Sequence, residues 1–142
     1  MTDSEQILSD LLCTTRFLQT EFRDGIDTAS GASLRSMLKL LLKELDTIEW
    51  ETSTVTQSRG FYFDGFPPLS YLFSSSLNRI RLHFQNKDSD IAEMLIQFET
   101  KAMIRTTKHL NASTSTDPTT QLLAHRFLSF IRASIRNLQE YL

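Results

Sequence analysis

The chain has 142 residues, 40% of them apolar and 23% charged, with a formal net charge of -2 and a single cysteine. That is the size and composition of one globular domain, 1–142, able to bury roughly two thirds of its unfolded surface without metal or disulfide support. One cysteine excludes an internal disulfide, no apolar run approaches the roughly 20 residues of a membrane span, and the acidic start MTDSEQ is neither a signal peptide nor a basic presequence. Cytosol or nucleus is the expected address, with no membrane insertion.

The first predicted helix covers 4–23, where Ile7, Leu8, Leu11, Leu12, Leu18 and Phe22 recur at three-to-four spacing. Thr2 with Glu5 forms a candidate capping box, Ser4 is the alternative cap, and Asp24-Gly25 is the expected stop. Cys13 falls in an apolar run and reads as a buried, inert thiol. A polar turn leads to a second helix over 32–50. Its stripe of Leu34, Met37, Leu38, Leu41, Leu45 and Ile48 is widened by Leu40 and Leu42, so it either meets several neighbours or leaves an apolar strip for a partner. Trp50 is expected to close this helix, packed over the bundle's end.

The pattern then breaks. Glu51 to Ser58 is β-branched and polar, and Asp64-Gly65 is a turn signal, so Val55–Phe63 suggests short extended or hairpin-like structure. After Pro67-Pro68 a third helix is expected over 69–86. A fourth follows over 90–109, capped by Ser89 or Asp90 with Asp90 and Glu93 as its capping box. Asp117-Pro118 starts a fifth helix, running to about 140 through Leu123, Phe127, Phe130, Ile131 and Leu138. The fold class is therefore all-α: an irregular four- or five-helix bundle with an aromatic-rich insertion between the second and third helices.

Catalytic patterns are missing. His83, His109 and His125 form no zinc or di-metal spacing, His109 near a helix end reads as a dipole partner, and none of the four glycines opens a phosphate loop or nucleotide fingerprint. No cofactor or metal is expected, and binding is a better expectation than chemistry.

Two features point to binding. Gly60–Phe73 holds six of the 14 aromatic residues, namely Phe61, Tyr62, Phe63, Phe66, Tyr71 and Phe73. Either these rings fold back and seal the bundle beside Trp50, or Phe61, Tyr62, Phe63 and Phe66 anchor a partner protein while Arg59 or Asp64 sets the polar register. The second feature is charge. Residues 1–68 carry -5 and residues 69–142 carry +3. The latter include Arg79, Arg81, Lys87, Lys101, Arg105, Lys108 and a candidate basic docking face of Arg126, Arg132 and Arg136, in which Arg132 and Arg136 share a helix face. The expected function is a non-enzymatic protein-interaction module, a subunit, adaptor or regulator with a protein partner or a second copy of itself. Nucleic acid bound by the basic residues is the alternative.

Overall fold

The computed structural model describes residues 2–60 and 87–142, which form four α-helices, a short 3₁₀ turn and no strand: α1 (Asp3–Thr28), α2 (Ala32–Ser58), α3 (Asp88–Ala112) and α4 (Pro118–Leu138), with the 3₁₀ turn at Gln139–Tyr141. The helix expected over 69–86 and the aromatic insertion lie outside the described residues.

Each helix forms because an apolar stripe recurs at helical spacing and meets the others. Leu8, Leu11, Leu18 and Phe22 of α1 pack with Leu34, Leu38 and Leu45 of α2, Ile91, Leu95 and Phe98 of α3, and Phe127, Ile131 and Leu138 of α4. Phe17 and Phe98 meet edge to face, ring centroids 5.2 Å apart. The helices stand in a square in which α1 and α4 each touch both α2 and α3. Tight turns make α1–α2 and α3–α4 antiparallel hairpins. Asp10 lies beside His109 and Gly25 beside Ile91, so α1 is antiparallel to α3. Glu51 meets Arg126 and Ser33 meets Tyr141, so α2 is antiparallel to α4. It follows that α2 and α3 run parallel, and Gly60 and Lys87 lie at opposite ends of the bundle.

Several expected boundaries move, each for a physical reason. The Thr2–Glu5 capping box forms, with Thr2 N–H donating to Glu5 and Glu5 N–H to Thr2. Ser4 is not the cap; its buried hydroxyl instead accepts from Asp117 N–H. Asp24-Gly25 does not end α1, which continues to Thr28. Gly25 is buried at the meeting of three helices, and a Cβ there would come within 3.1 Å of Leu38 and 3.4 Å of Ile91. Its lack of a side chain thus serves close packing, and the cost of glycine inside a helix, about 1 kcal/mol, is offset by contacts. The helix ends later, where Arg35 of α2 donates to the carbonyls of Ile26 and Ala29.

The second helix does not stop at Trp50, and Val55 to Ser58 is helical rather than extended. Hydroxyls of Thr54, Thr56 and Ser58 bond back to the carbonyls of Trp50, Thr52 and Val55. Thr52 and Thr56 are buried and Val55 packs on the core, continuing the stripe of Leu45 and Ile48. Trp50 therefore sits within α2, 66% exposed, and does not cover the bundle's end. Leu40 also faces out, whereas Leu42 packs on the core. Gly60, at φ 74°, supplies the left-handed turn that ends the helix.

At the start of α3 the expected capping box of Asp90 and Glu93 is absent, and neither Ser89 nor Asp90 is the cap: the N-cap position is Lys87, without a side-chain bond. The carboxylate that matters there is Asp88. It reaches across to accept N–H bonds from Ser30 at 2.8 Å and Gly31 at 2.9 Å, and so caps α2 from another helix. Gly31 is compatible because a Cβ there would lie 2.7 Å from the Asp88 carboxylate. Removing this cap with Asp88→Ala is expected to lower stability by about 1 kcal/mol, read from urea unfolding, with Asp88→Asn losing less. An unchanged midpoint for Asp88→Ala would show that the contact is idle.

Candidate functional site

At the end of the bundle that holds Gly60, Arg59 makes a bidentate pair with Asp117, at 2.6 and 2.8 Å. Asp117 is also the N-cap of α4, accepting from Thr120 N–H at 3.0 Å, with Pro118 in the first turn as the sequence predicts. The Arg59 guanidinium, with help from Thr120 and Ser4, holds the Asp117 carboxyl well below the usual carboxylate range. Arg59 thus fastens the end of α2 to the start of α4. The other residues expected to dock a partner beside it, Phe61, Tyr62, Phe63, Asp64 and Phe66, lie outside the described residues.

The three arginines of the candidate basic face separate. Arg126 turns toward α2 and grips both carboxylate oxygens of Glu51, at 2.6 and 2.5 Å. Arg132 and Arg136 stay exposed on the outer side of α4, with no ion pair among the described residues. His125, about two turns before Arg132 on the same side, is exposed as well. On α3, Lys101 and Lys108 are exposed seven residues apart, on one face with Ile104. Arg105 instead leans toward Asp10 at 3.8 Å, and Nδ1 of His109 lies 2.5 Å from the same carboxylate. His109 therefore links α3 to α1 rather than acting only on its own helix end.

Carboxylates are scarce on this side of the bundle. Between Gln97 and Leu138 the sequence has two, Glu99 and Asp117. Asp117 is bound by Arg59, and Glu99 is fully buried. Over that stretch the exterior of α3 and α4 is thus basic, with Ile104 (48% exposed) and Leu122 (68%) as apolar points within it, while Asp88, Asp90, Glu93 and Glu140 gather toward the opposite end of the hairpin. The α1–α2 hairpin differs: its Arg16 pairs with Glu49 and its Arg23 with Asp46.

An open groove of about 320 Å³ runs between the end of α3 and the first half of α4. Leu110 and Leu128 line its floor, and Thr107, Asn111, His125 and Arg132 stand around it. No acidic side chain lines it. The crevice at Asp10 and His109 is far smaller, about 10 Å³. A histidine–carboxylate pair works as a general base only with room for a reacting atom about 3 Å away, and this crevice has space for little more than a water. Its geometry suits a clasp between helices. Among the described residues no group of three or more His, Cys, Asp or Glu side chains could hold a metal ion, and no helix is long and apolar enough to cross a membrane. Cys13 is buried as expected, and burial pushes its thiol up to about 12, where it is not a nucleophile at neutral pH.

Glu99 went unnoticed in the sequence. Helical spacing places it with Leu95 and Ala102 on the inward face of α3, which was the available signal. Both carboxylate oxygens lack a hydrogen-bond partner among the described residues, and Ser134 of α4 acts on the carboxyl without closing a bond of good geometry. Burial pushes Glu99 up to about 8, so it is largely protonated at neutral pH in the folded chain, whereas an unfolded carboxyl near 4.3 is ionised. The folded state then binds the extra proton, and stability falls as pH rises from about 4.3 to about 8. Glu99→Gln is expected to flatten that slope and to unfold at higher urea than the parent at pH 8. A parent whose stability does not decline over this window would contradict the assignment.

Comparison of the chain with protein-family models, with curated proteins and with solved structures finds no match.

Proposed function

We propose that this chain is a non-enzymatic protein-interaction module, a subunit, adaptor or regulator of a larger assembly, that docks a partner on the exterior of α3 and α4. The observation that carries this reading is the segregation of charge. Lys101, Lys108, His125, Arg132 and Arg136 are exposed without ion pairs among the described residues, and the two carboxylates between Gln97 and Leu138 are paired or buried, the other acidic residues of α3 standing in its first two turns. Exposed cations beside Ile104 and Leu122 offer both steering and apolar contact, the combination that a protein partner with an acidic rim uses. The absence of a catalytic spacing in the sequence and the cramped setting of the Asp10–His109 pair support binding over chemistry. A single, inert cysteine fits a cytosolic or nuclear setting.

The same cations favour a second reading, phosphate contact with nucleic acid. The two readings separate in a titration of the full chain with poly-L-glutamate and with duplex DNA at about 0.15 M salt. The protein-docking reading expects polyglutamate binding that Lys101→Glu, Lys108→Glu and Arg136→Glu together abolish, with helicity retained because none of the three holds an ion pair. Tight, steeply salt-dependent DNA binding with no response to polyglutamate would overturn it.

The sequence adds a second docking element, the ring-rich stretch that includes Phe61, Tyr62, Phe63 and Phe66, for a partner protein or a second copy. Phe61→Ala with Phe66→Ala is expected to reduce co-purified partners or self-association in sedimentation while leaving circular dichroism unchanged. Loss of helicity, or an unaltered assembly, would assign these rings to the chain's own core.

A further inference from the structure

We propose that the groove between α3 and α4 is a subsite for a carboxylate side chain of the partner, flanked in the partner by an apolar residue, with Arg132 and His125 as its anion-binding groups. This rests on the reading that the α3–α4 exterior is the docking face, and it identifies which part of that face is selective.

The chemistry of the lining carries the assignment. Around the rim stand a guanidinium, an imidazole, an amide and a hydroxyl, from Arg132, His125, Asn111 and Thr107. All four can donate hydrogen bonds, and no side chain that is obligatorily an acceptor lines the site. Arg132 also differs from its neighbours in the fold. Arg16, Arg23, Arg59 and Arg126 each hold a carboxylate of this chain, whereas Arg132 is exposed and holds none among the described residues. A planar guanidinium fork that the protein leaves open matches a carboxylate presented from outside. No carboxylate lines the groove, and of the two between Gln97 and Leu138 Glu99 is buried and Asp117 belongs to Arg59.

Size and floor narrow the occupant further. At about 320 Å³ the groove lies at the small end of ligand sites and holds two side chains rather than a helix. Leu110 and Leu128 give the floor an apolar patch beside the cationic rim, which asks for an acid next to an aliphatic residue. No Phe, Tyr or Trp lines the groove, so it lacks the broad ring platform on which successive bases stack.

The test uses the full ¹⁵N-labelled chain and two synthetic peptides, acetyl-Leu-Glu-Leu-Glu-amide and its counterpart with both Glu residues replaced by Gln. With the acidic peptide, amide shifts are expected at Leu110 to Thr116 and from Gln121 to Arg132. Binding is expected to weaken roughly fivefold or more with the Gln peptide, and likewise with Arg132→Gln, while Lys43→Gln on the exposed side of α2 changes it little. Arg132 is exposed and holds no ion pair, so its variant keeps the parent's circular dichroism; His125→Gln is the second variant, expected to weaken binding partially. Equal binding of the two peptides, or shifts unaffected by Arg132→Gln, would overturn the subsite. Shifts at Lys101, Ile104 and Lys108 with a silent groove would overturn the subsite while leaving the docking face standing. No shift on α3 or α4 at millimolar peptide also overturns the subsite, and the polyglutamate titration then decides the face separately.

Discussion

The start of every α-helix presents backbone N–H groups that the helix itself cannot satisfy, and at the starts of α2 and α4 a carboxylate answers that need while tying two helices together. Asp88, in the first turn of α3, accepts from Ser30 and Gly31 and so closes the start of α2. Asp117 closes the start of its own helix and receives Arg59 from the end of α2. Each carboxylate therefore does two things: it stabilises a helix start and fixes where a second helix sits against it. Asp88 ties the α1–α2 hairpin to the α3–α4 hairpin at one end, and Asp117 ties them at the other. Because α2 and α3 are parallel, no tight turn sets the register between the hairpins. Sliding one past the other by a helical turn, about 5.4 Å, would break both ties at once.

Charge outside the core follows the same division into hairpins. Arg16 and Arg23 of α1 find carboxylates on α2, and exposed pairs of this kind contribute little to stability while cancelling the local field. On α3 and α4 the two midspan carboxylates are removed from the surface, one by burial and one by pairing. The positive field over the stretch from Gln97 to Leu138 is thus a product of folding as well as of composition. The proposed docking face and its groove both depend on where Glu99 and Asp117 are placed.

Much of the architecture was legible in the sequence wherever apolar periodicity and cap chemistry agreed. The Thr2–Glu5 box and the Asp117-Pro118 start are local signals, complete within a few residues, and both form. The errors came where a residue's role is set by a partner distant in sequence. Gly25 reads as a stop, yet it is the point at which Leu38 and Ile91 approach α1. The run from Thr52 to Ser58 reads as poor helix because hydroxyl and β-branched residues carry low propensity; here those hydroxyls are satisfied on preceding carbonyls and the burial of Thr52 and Thr56 overrides propensity. Of the candidate site, the basic character of the last two helices was visible. That Arg126 and Arg59 are consumed by Glu51 and Asp117, while Arg132 is left open, requires three-dimensional pairing that no spacing encodes.

The extension of α2 past Trp50 has an optical consequence. The chain's one indole stands on the outside of a regular helix, two-thirds exposed, instead of against the core. Its fluorescence reports on solvent in the folded state almost as it would in the unfolded chain, which makes it a poor gauge of melting. It is correspondingly a good gauge of contact: a blue-shifted emission on assembly would mark the outer side of α2 as covered, and an unmoved spectrum would leave that side to water.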